Sequence, residues 1–364
     1  TNVVKKVSDY SFLFDDTIYD VLKFGNLILK ENHNQSSDMS EKEALIYLGL
    51  SYYDLVNENG LEHAKKLYEK KKRQAFLPVN TLEKILLFES PDIVVATTSP
   101  RFEHASIIAG NNLNLKTVQI LDLFSHIYPI PQAKSLVVMN EAVKEGLIDQ
   151  GLINHDYYVF GQPIIENTAI NVNNLDRKLL YKKMNFHLKN RTLLLATQTF
   201  ISVNKENEVI NFNEYNLIYN YLFPMLEKLG KEYNLNLLVR LHPNENYADY
   251  ANYFNKYQFL TYSNEILNLE ESLAISDMVL VESSTVALEA IACDKKVFTY
   301  KQDYEYYYSV PAFTKYPFVF SNNLKELEGN LINYLSCNNK TYNKEEFMPK
   351  GSIEKIVELL TKNL

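Results

Sequence analysis

Two short stretches carry the residue types of an anion site. The first, "LLVRLHPNE" (Leu237–Glu245), is an apolar run that contains Arg240 and ends on His242 and Pro243. A histidine at a strand end can donate a hydrogen bond to a phosphate oxygen, and the proline fixes the turn that aims it. The second lies in "SDMVLVESSTVALEA", where Ser283, Ser284 and Thr285 follow another apolar run and open a helical pattern. Hydroxyls and unpaired N–H groups at a helix start favour phosphate. Each stretch alone has a plain structural reading, a packed histidine and an N-cap. Two such loops at the ends of strands in one unit are more specific, because ligands of open parallel sheets lie beyond the carboxyl ends of the strands.

The elements that must position these loops are legible as alternating patterns. Tyr10–Phe14, Asp92–Thr98, Lys116–Leu121, Ser135–Met139 and Tyr157–Gly161 read as strands in the first half. Thr192–Gln198, Asn236–His242, Gln258–Tyr262, Met278–Glu282 and Lys296–Tyr300 do so in the second. Helical periodicity lies between them, with Asn140 placed to cap one helix and residues 41–90 mostly helical. Such alternation predicts parallel sheets covered on both faces. We expect an α/β chain of two Rossmann-like domains with a cleft between them: residues 1–165, a polar Asn-rich linker over 166–190, and residues 191–364. The C-terminal "SIEKIVELLTKNL" reads as an amphipathic helix packing on the protein itself.

Composition narrows the function. A formal charge of −8 argues against a general nucleic-acid binder. The two cysteines, Cys293 and Cys337, suit a reducing cytoplasm and cannot build a disulfide framework. No apolar run approaches the roughly 18–20 residues of a membrane span. A basic run at residues 63–74, including Lys65, Lys66, Lys70, Lys71, Lys72 and Arg73, reads first as a solvated helix face. Its functional reading is contact with anionic lipid headgroups at the inner face of a membrane, or with an acidic acceptor glycan. The chain begins at Thr1 rather than methionine, as a trimmed start would.

"RLHPNE" and "ESST" together resemble the His-Pro and paired-serine motifs of bacterial GT-B glycosyltransferases that use CMP-activated acidic sugars: sialyl-, polysialyl- and Kdo-transferases. The resemblance implies that His242, Ser283 and Ser284 hold the nucleotide phosphate, with Pro243 and Thr285 beside them. "SDMVLVESSTVALEAIACDKKVF" is also similar to the wider superfamily that includes UDP-GlcNAc 2-epimerases, which implies a ribose contact for Glu289. The epimerase pattern usually has glycines where Ser284 and Thr285 stand, so that backbone can approach a diphosphate; hydroxyls there favour a donor with a single phosphate. The resemblance does not extend to the first 90 residues, which carry no motif that we can place, and the family's first strand with its glycine-rich loop is missing.

The first half should bring the acceptor and the base. An inverting transferase needs a carboxylate or histidine to take the acceptor proton. Asp122 in "LDLF" is the first candidate, although the related Asp-Glu-Gly pattern is altered there, and Glu103 in "SPRFEHA" is the second. Arg101, His104 and His126 are candidate substrate contacts, as are Thr197, Gln198 and Arg240. Arg101 is one of only five arginines and suits a ligand carboxylate or phosphate. No Asp-x-Asp stands in a convincing loop, so we expect no metal and no cofactor beyond the nucleotide sugar. The expectation is a cytoplasmic, inverting transferase moving a CMP-activated nonulosonic acid or Kdo to a saccharide or glycolipid of the bacterial surface, such as capsule or lipooligosaccharide. A UDP-HexNAc transferase, a 2-epimerase and a non-catalytic nucleotide- or glycan-binding module are the alternatives.

Overall fold

The computed structural model describes residues 5–33, 39–121, 132–197, 202–203, 209–210, 219–243, 245–282, 284–300, 317–336 and 347–362. A helical layer comes first: a 3-10 stretch Val7–Thr17, α1 (Ile18–Asn32), α2 (Glu41–Asn59), α3 (Leu61–Lys71), a 3-10 turn Lys72–Ala75 and α4 (Val79–Glu89). The run Tyr10–Phe14, expected as a strand, is helical instead. The Asp9 carboxylate accepts from the Lys6 N–H at 2.8 Å and starts a helical turn. The aromatic rings then pack on α4, with Phe12 and Tyr10 edge-on to Phe88. A short apolar run is compatible with either period, and tertiary packing decides. α1 and α2 cross closely at two glycines: a Cβ on Gly49 would lie 2.2 Å from the Val21 carbonyl oxygen.

The first sheet has the strands β1 (Ile93–Ala96), β2 (Lys116–Ile120), β3 (Ser135–Val138) and β4 (Asp156–Val159), all parallel and in that spatial order. Between them run α5 (Phe102–Asn112) and α6 (Glu141–Asp149). Asn140 caps α6, its side chain accepting from the Val143 N–H at 3.0 Å. The polar passage after β4 is helical, α7 (Pro163–Asn174) and α8 (Arg177–Lys183). Asp176 caps α8 through its carboxylate.

The second half runs through β5 (Thr192–Ala196), a separate antiparallel pair β6 (Ser202–Val203) and β7 (Val209–Ile210), α9 (Tyr219–Glu232), β8 (Asn236–Arg240), α10 (Tyr247–Lys256), β9 (Leu260–Tyr262), α11 (Leu269–Ile275), β10 (Met278–Val281), α12 (Val286–Ala292), β11 (Lys296–Tyr300), β12 (Val319–Ser321) and α13 (Leu324–Ser336), and all of these strands but β6 and β7 form the second sheet. Its six strands are parallel in the order β12-β11-β10-β5-β8-β9. Counted from β5, that is the Rossmann order 3-2-1-4-5-6, whose direction reverses between β5 and β10. All of β5 and β10 is buried, which explains why both read as unbroken apolar runs. β6, β7 and β12 are too short to stand out in the sequence.

One buried apolar cluster joins the two sheets, from Leu136 and Val138 through Ile165 and Val172 on α7 to Leu194, Val281 and Ile291. The last helix, α14 (Ser352–Thr361), returns to the first sheet, where Ile356 is buried with Val118 and Val137. Burying such a side chain contributes about 1.5–3 kcal/mol. Glu166 on α7 fixes the start of α14, accepting from Gly351 N at 2.7 Å, Ser352 N at 2.9 Å and Ser352 Oγ at 2.6 Å. Among the described residues no helix is long and apolar enough to cross a membrane.

Candidate functional site

At the carboxyl edge of the second sheet, register sets three loops side by side. Ala196 is paired with Arg240, and Leu195 with Leu280. Thr197, Leu241–His242 and Glu282 therefore leave adjacent strands at one level, across the point where strand order reverses, with Ser284 and Thr285 following β10.

The His242 turn is held from three sides. The Glu245 N–H donates to the His242 carbonyl at 2.9 Å, closing a turn with Pro243 at its second position. The Glu245 carboxylate reaches back to accept from the His242 N–H at 2.8 Å, and it also accepts from the Thr197 hydroxyl and from Tyr250 Oη at 2.6 Å. Thr197, buried at the end of β5, accepts from the same His242 N–H at 3.1 Å. Its own N–H donates to the Arg240 carbonyl at 2.9 Å. Asn264 after β9 completes the frame: its side chain accepts from Leu241 N at 2.9 Å and donates to the Leu241 carbonyl at 2.7 Å. Tyr250 is itself buried; burial, then the Glu245 charge, push its phenol far above the ordinary range, so it stays protonated and donating.

Behind the turn, Arg240 sends an N–H to the Leu267 carbonyl at 2.8 Å, and burial depresses its pKa. Glu289 on α12 is raised to about 7, chiefly by burial and then by the charge of Glu270, with Arg240 pulling the other way. Ser284 accepts from the Val286 N–H at 3.3 Å, the contact of a plain cap, while Thr285 is exposed at the N-cap of the seven-residue α12.

The sequence candidates thus divide. Thr197, Arg240, His242, Pro243, Ser284, Thr285 and Glu289 meet at one sheet edge. Asp122, His126, Gln198 and Ser283 lie outside the described residues. Glu103, in the first turn of α5, accepts from Thr97 N at 2.7 Å and from the Thr97 hydroxyl, beside Val95 and Ile120. Arg101 and His104 do not share that recess; they line a separate cavity against the helical layer. In the basic run most side chains are exposed, with Lys65 paired to Glu62 and Lys72 to Glu31. Sequence reading gave no role to Glu245, Asn264 or Tyr250. Glu245 had a signal: a carboxylate three residues after a chain-turning position is the spacing of a capping box. Asn264 and Tyr250 reach the site only through tertiary packing.

No family model matches the sequence, and no curated protein matches it either. Solved structures do resemble it. UDP-GlcNAc 2-epimerase from Methanocaldococcus jannaschii is 18% identical over 78% of this chain and 80% of that one, with a TM-score of 0.55. UDP-GlcNAc 2-epimerase from Neisseria meningitidis, bound to UDP-GlcNAc, is 15% identical over 94% of this chain and 97% of that one, also at 0.55. A glycosyltransferase from Rickettsia africae ESF-5 is 16% identical over 78% and 80%, at 0.50. At these identities the likeness is one of fold: two parallel Rossmann-like sheets, as in GT-B glycosyltransferases and 2-epimerases.

Proposed function

We propose that the protein binds a nucleotide sugar at the carboxyl edge of the second sheet and transfers the sugar, with inversion and without a metal, to a saccharide acceptor held by the first half. The observation that carries this reading is the frame around His242, in which Glu245, Thr197 and Asn264 fix the backbone of the turn that follows β8, one strand from the strand-order reversal. A turn braced in this way suits an imidazole that must meet a donor phosphate in one orientation. Ser284 and Ser283 would share that phosphate, and Glu289 would face the ribose. Glu103, its carboxylate oriented by Thr97, and Asp122 are the two groups to take the acceptor proton as the hydroxyl oxygen attacks the anomeric carbon and the nucleotide leaves. The preferred donor is a CMP-activated acidic sugar, because Ser284 and Thr285 stand where a diphosphate loop would favour glycine. Acceptor binding falls to residues 1–165 and donor binding to 191–364, at the cytoplasmic side of surface-glycan synthesis.

The fold likeness to proteins that bind UDP-GlcNAc favours a second reading, a UDP-sugar transferase or 2-epimerase. Thermal stabilisation by CMP, CDP, UMP, UDP and GDP separates them, since a ligand of the folded state raises its stability. CMP or CDP stabilisation that is lost in His242→Ala supports the acidic-sugar transferase. UDP stabilisation alone, with turnover of UDP-GlcNAc in the absence of an acceptor, supports the epimerase. No response to any nucleotide refutes the donor site.

A further inference from the structure

We infer that the cavity between the helical layer and α5 is an oxyanion subsite that takes the carboxylate or phosphate of an acidic sugar. Two features that are unrelated in the sequence meet there: Lys71, from the basic run, and the Pro100–Arg101 turn after β1. The cavity holds about 380 Å³, within the ~300–1,000 Å³ usual for small-molecule sites. Leu67, Phe76 and Leu77 give it an apolar part, Lys71 and Gln74 line it as well, and among the described residues no acidic one does. Such a combination matches an acidic sugar, which presents an apolar C–H face beside an anionic group.

Three observations point to a ligand. His104 is only 8% exposed, lines the cavity, and its Nδ1 has no hydrogen-bond partner among the described residues. Arg101 lines the same cavity, and its Nε is also buried and without a partner among the described residues. Buried polar atoms are normally satisfied, so two residues of one cavity lining that each carry a buried, unpartnered nitrogen require an explanation. Both nitrogens are closed to solvent in the free protein, so each side chain must turn to meet a ligand, and a bound oxyanion then supplies the acceptor it lacks. Arg101 also adopts φ 70°, ψ −110°, a conformation that glycine would enter at little cost. Strain of this kind persists where a side chain has work at that position. Finally, Arg101 is the N-cap of the eleven-residue α5 and makes no side-chain capping bond, so the helix start adds its own positive potential.

The identification of the ligand as a sugar of the acceptor rests on the transferase reading; the anion site itself does not. The test measures thermal stabilisation by glucuronate, glucose 6-phosphate and neutral glucose, in the wild type, Arg101→Gly and Lys71→Gln. Arg101→Gly removes the guanidinium while relieving the backbone, so it should melt no lower than the wild type. We expect glucuronate or glucose 6-phosphate, and not glucose, to stabilise the wild type, and half-saturation to weaken about tenfold or more in Arg101→Gly. A response to glucuronate alone identifies a carboxylate sugar, and one to glucose 6-phosphate alone a phosphorylated one. Nucleotide stabilisation should be unchanged in both variants, so failure of the donor site and failure of this subsite are read separately. Equal response to glucose, no response to either anion, or full anion response in Arg101→Gly overturns the inference.

Discussion

Replacing Glu245 should damage the site without removing any group that touches a ligand. In Glu245→Ala, three donors lose their shared acceptor: His242 N–H at 2.8 Å, Tyr250 Oη at 2.6 Å and the Thr197 hydroxyl. They are not equally stranded. Thr197 keeps the Arg240 carbonyl at 3.3 Å, and the His242 N–H keeps Thr197 Oγ1 at 3.1 Å. Tyr250 is buried; the Tyr219 hydroxyl donates to its oxygen, but its own proton is left without the carboxylate. With about 1–3 kcal/mol for each buried group left unsatisfied and partial rescue of two of them, the loss comes to about 2–4 kcal/mol. For a unit the size of the second half that corresponds to a fall of roughly 5–10 °C in its melting transition. Glu245→Gln keeps one carbonyl oxygen and turns an amide toward Tyr250, whose hydroxyl can accept, so its loss should be near 1 kcal/mol. Two assays read the effect. Amide exchange at His242 should accelerate strongly in the Ala variant and modestly in the Gln variant, with no ligand present. The affinity for whichever nucleotide stabilises the wild type should fall at least about tenfold in Glu245→Ala, as in His242→Ala. An Ala variant with wild-type melting, unchanged His242 exchange and unchanged nucleotide affinity would refute the view that this carboxylate sets the turn.

Other outcomes follow from the same structure. Glu289 titrates near 7 in the fold against 4.5 when unfolded, so the native state holds its proton more tightly. That contribution is complete below pH 4.5 and is lost as pH rises to about 7, an interval worth about 3 kcal/mol. Glu289→Gln should therefore gain stability relative to wild type across that window in denaturant melts, and parallel profiles would count against it. For Glu166, burial raises the pKa, but hydrogen bonds from Ser352 and Gly351 together more than offset this, leaving it below the ordinary value. Its contribution is present above pH 4.5 and fades under acid, so Glu166→Ala should lose α14 protection at neutral pH in hydrogen exchange and differ little from wild type in acid. Gly161 has φ +93°, and a Cβ there would lie 2.5 Å from the Pro349 carbonyl oxygen. Gly161→Ala should lower the melting temperature by several degrees, through strain and overpacking of about 1–3 kcal/mol.

The strands legible in the sequence are those buried on both faces, because continuous runs such as Thr192–Ala196 and Met278–Val281 leave no ambiguity of face. Tyr10–Phe14 misled because five residues cannot separate period 2 from a helical turn, and the partner that decides, Phe88 on α4, is far along the chain. The site shows the same division. His242, Ser284 and Thr285 are visible as residue types at strand ends, and Glu245 by its spacing, since all act within one turn of their own strand. Asn264 and Tyr250 act across strands, through bonds to Leu241 and Glu245 that only the register of β8 against β9 and the packing of α10 create. The Arg101 cavity is the extreme case: its cationic lining is assembled from Lys71 at the end of α3 and Arg101 in the turn after β1, two features that the sequence shows separately but does not connect. The basic run at 63–74 reads in one dimension as a solvated face, and most of it is one. What changes its meaning is that Lys71 and Gln74 line the same cavity as Arg101 and His104, each of which carries a buried nitrogen without a partner among the described residues, a coincidence of charge and unmet hydrogen bonding that no window along the chain contains.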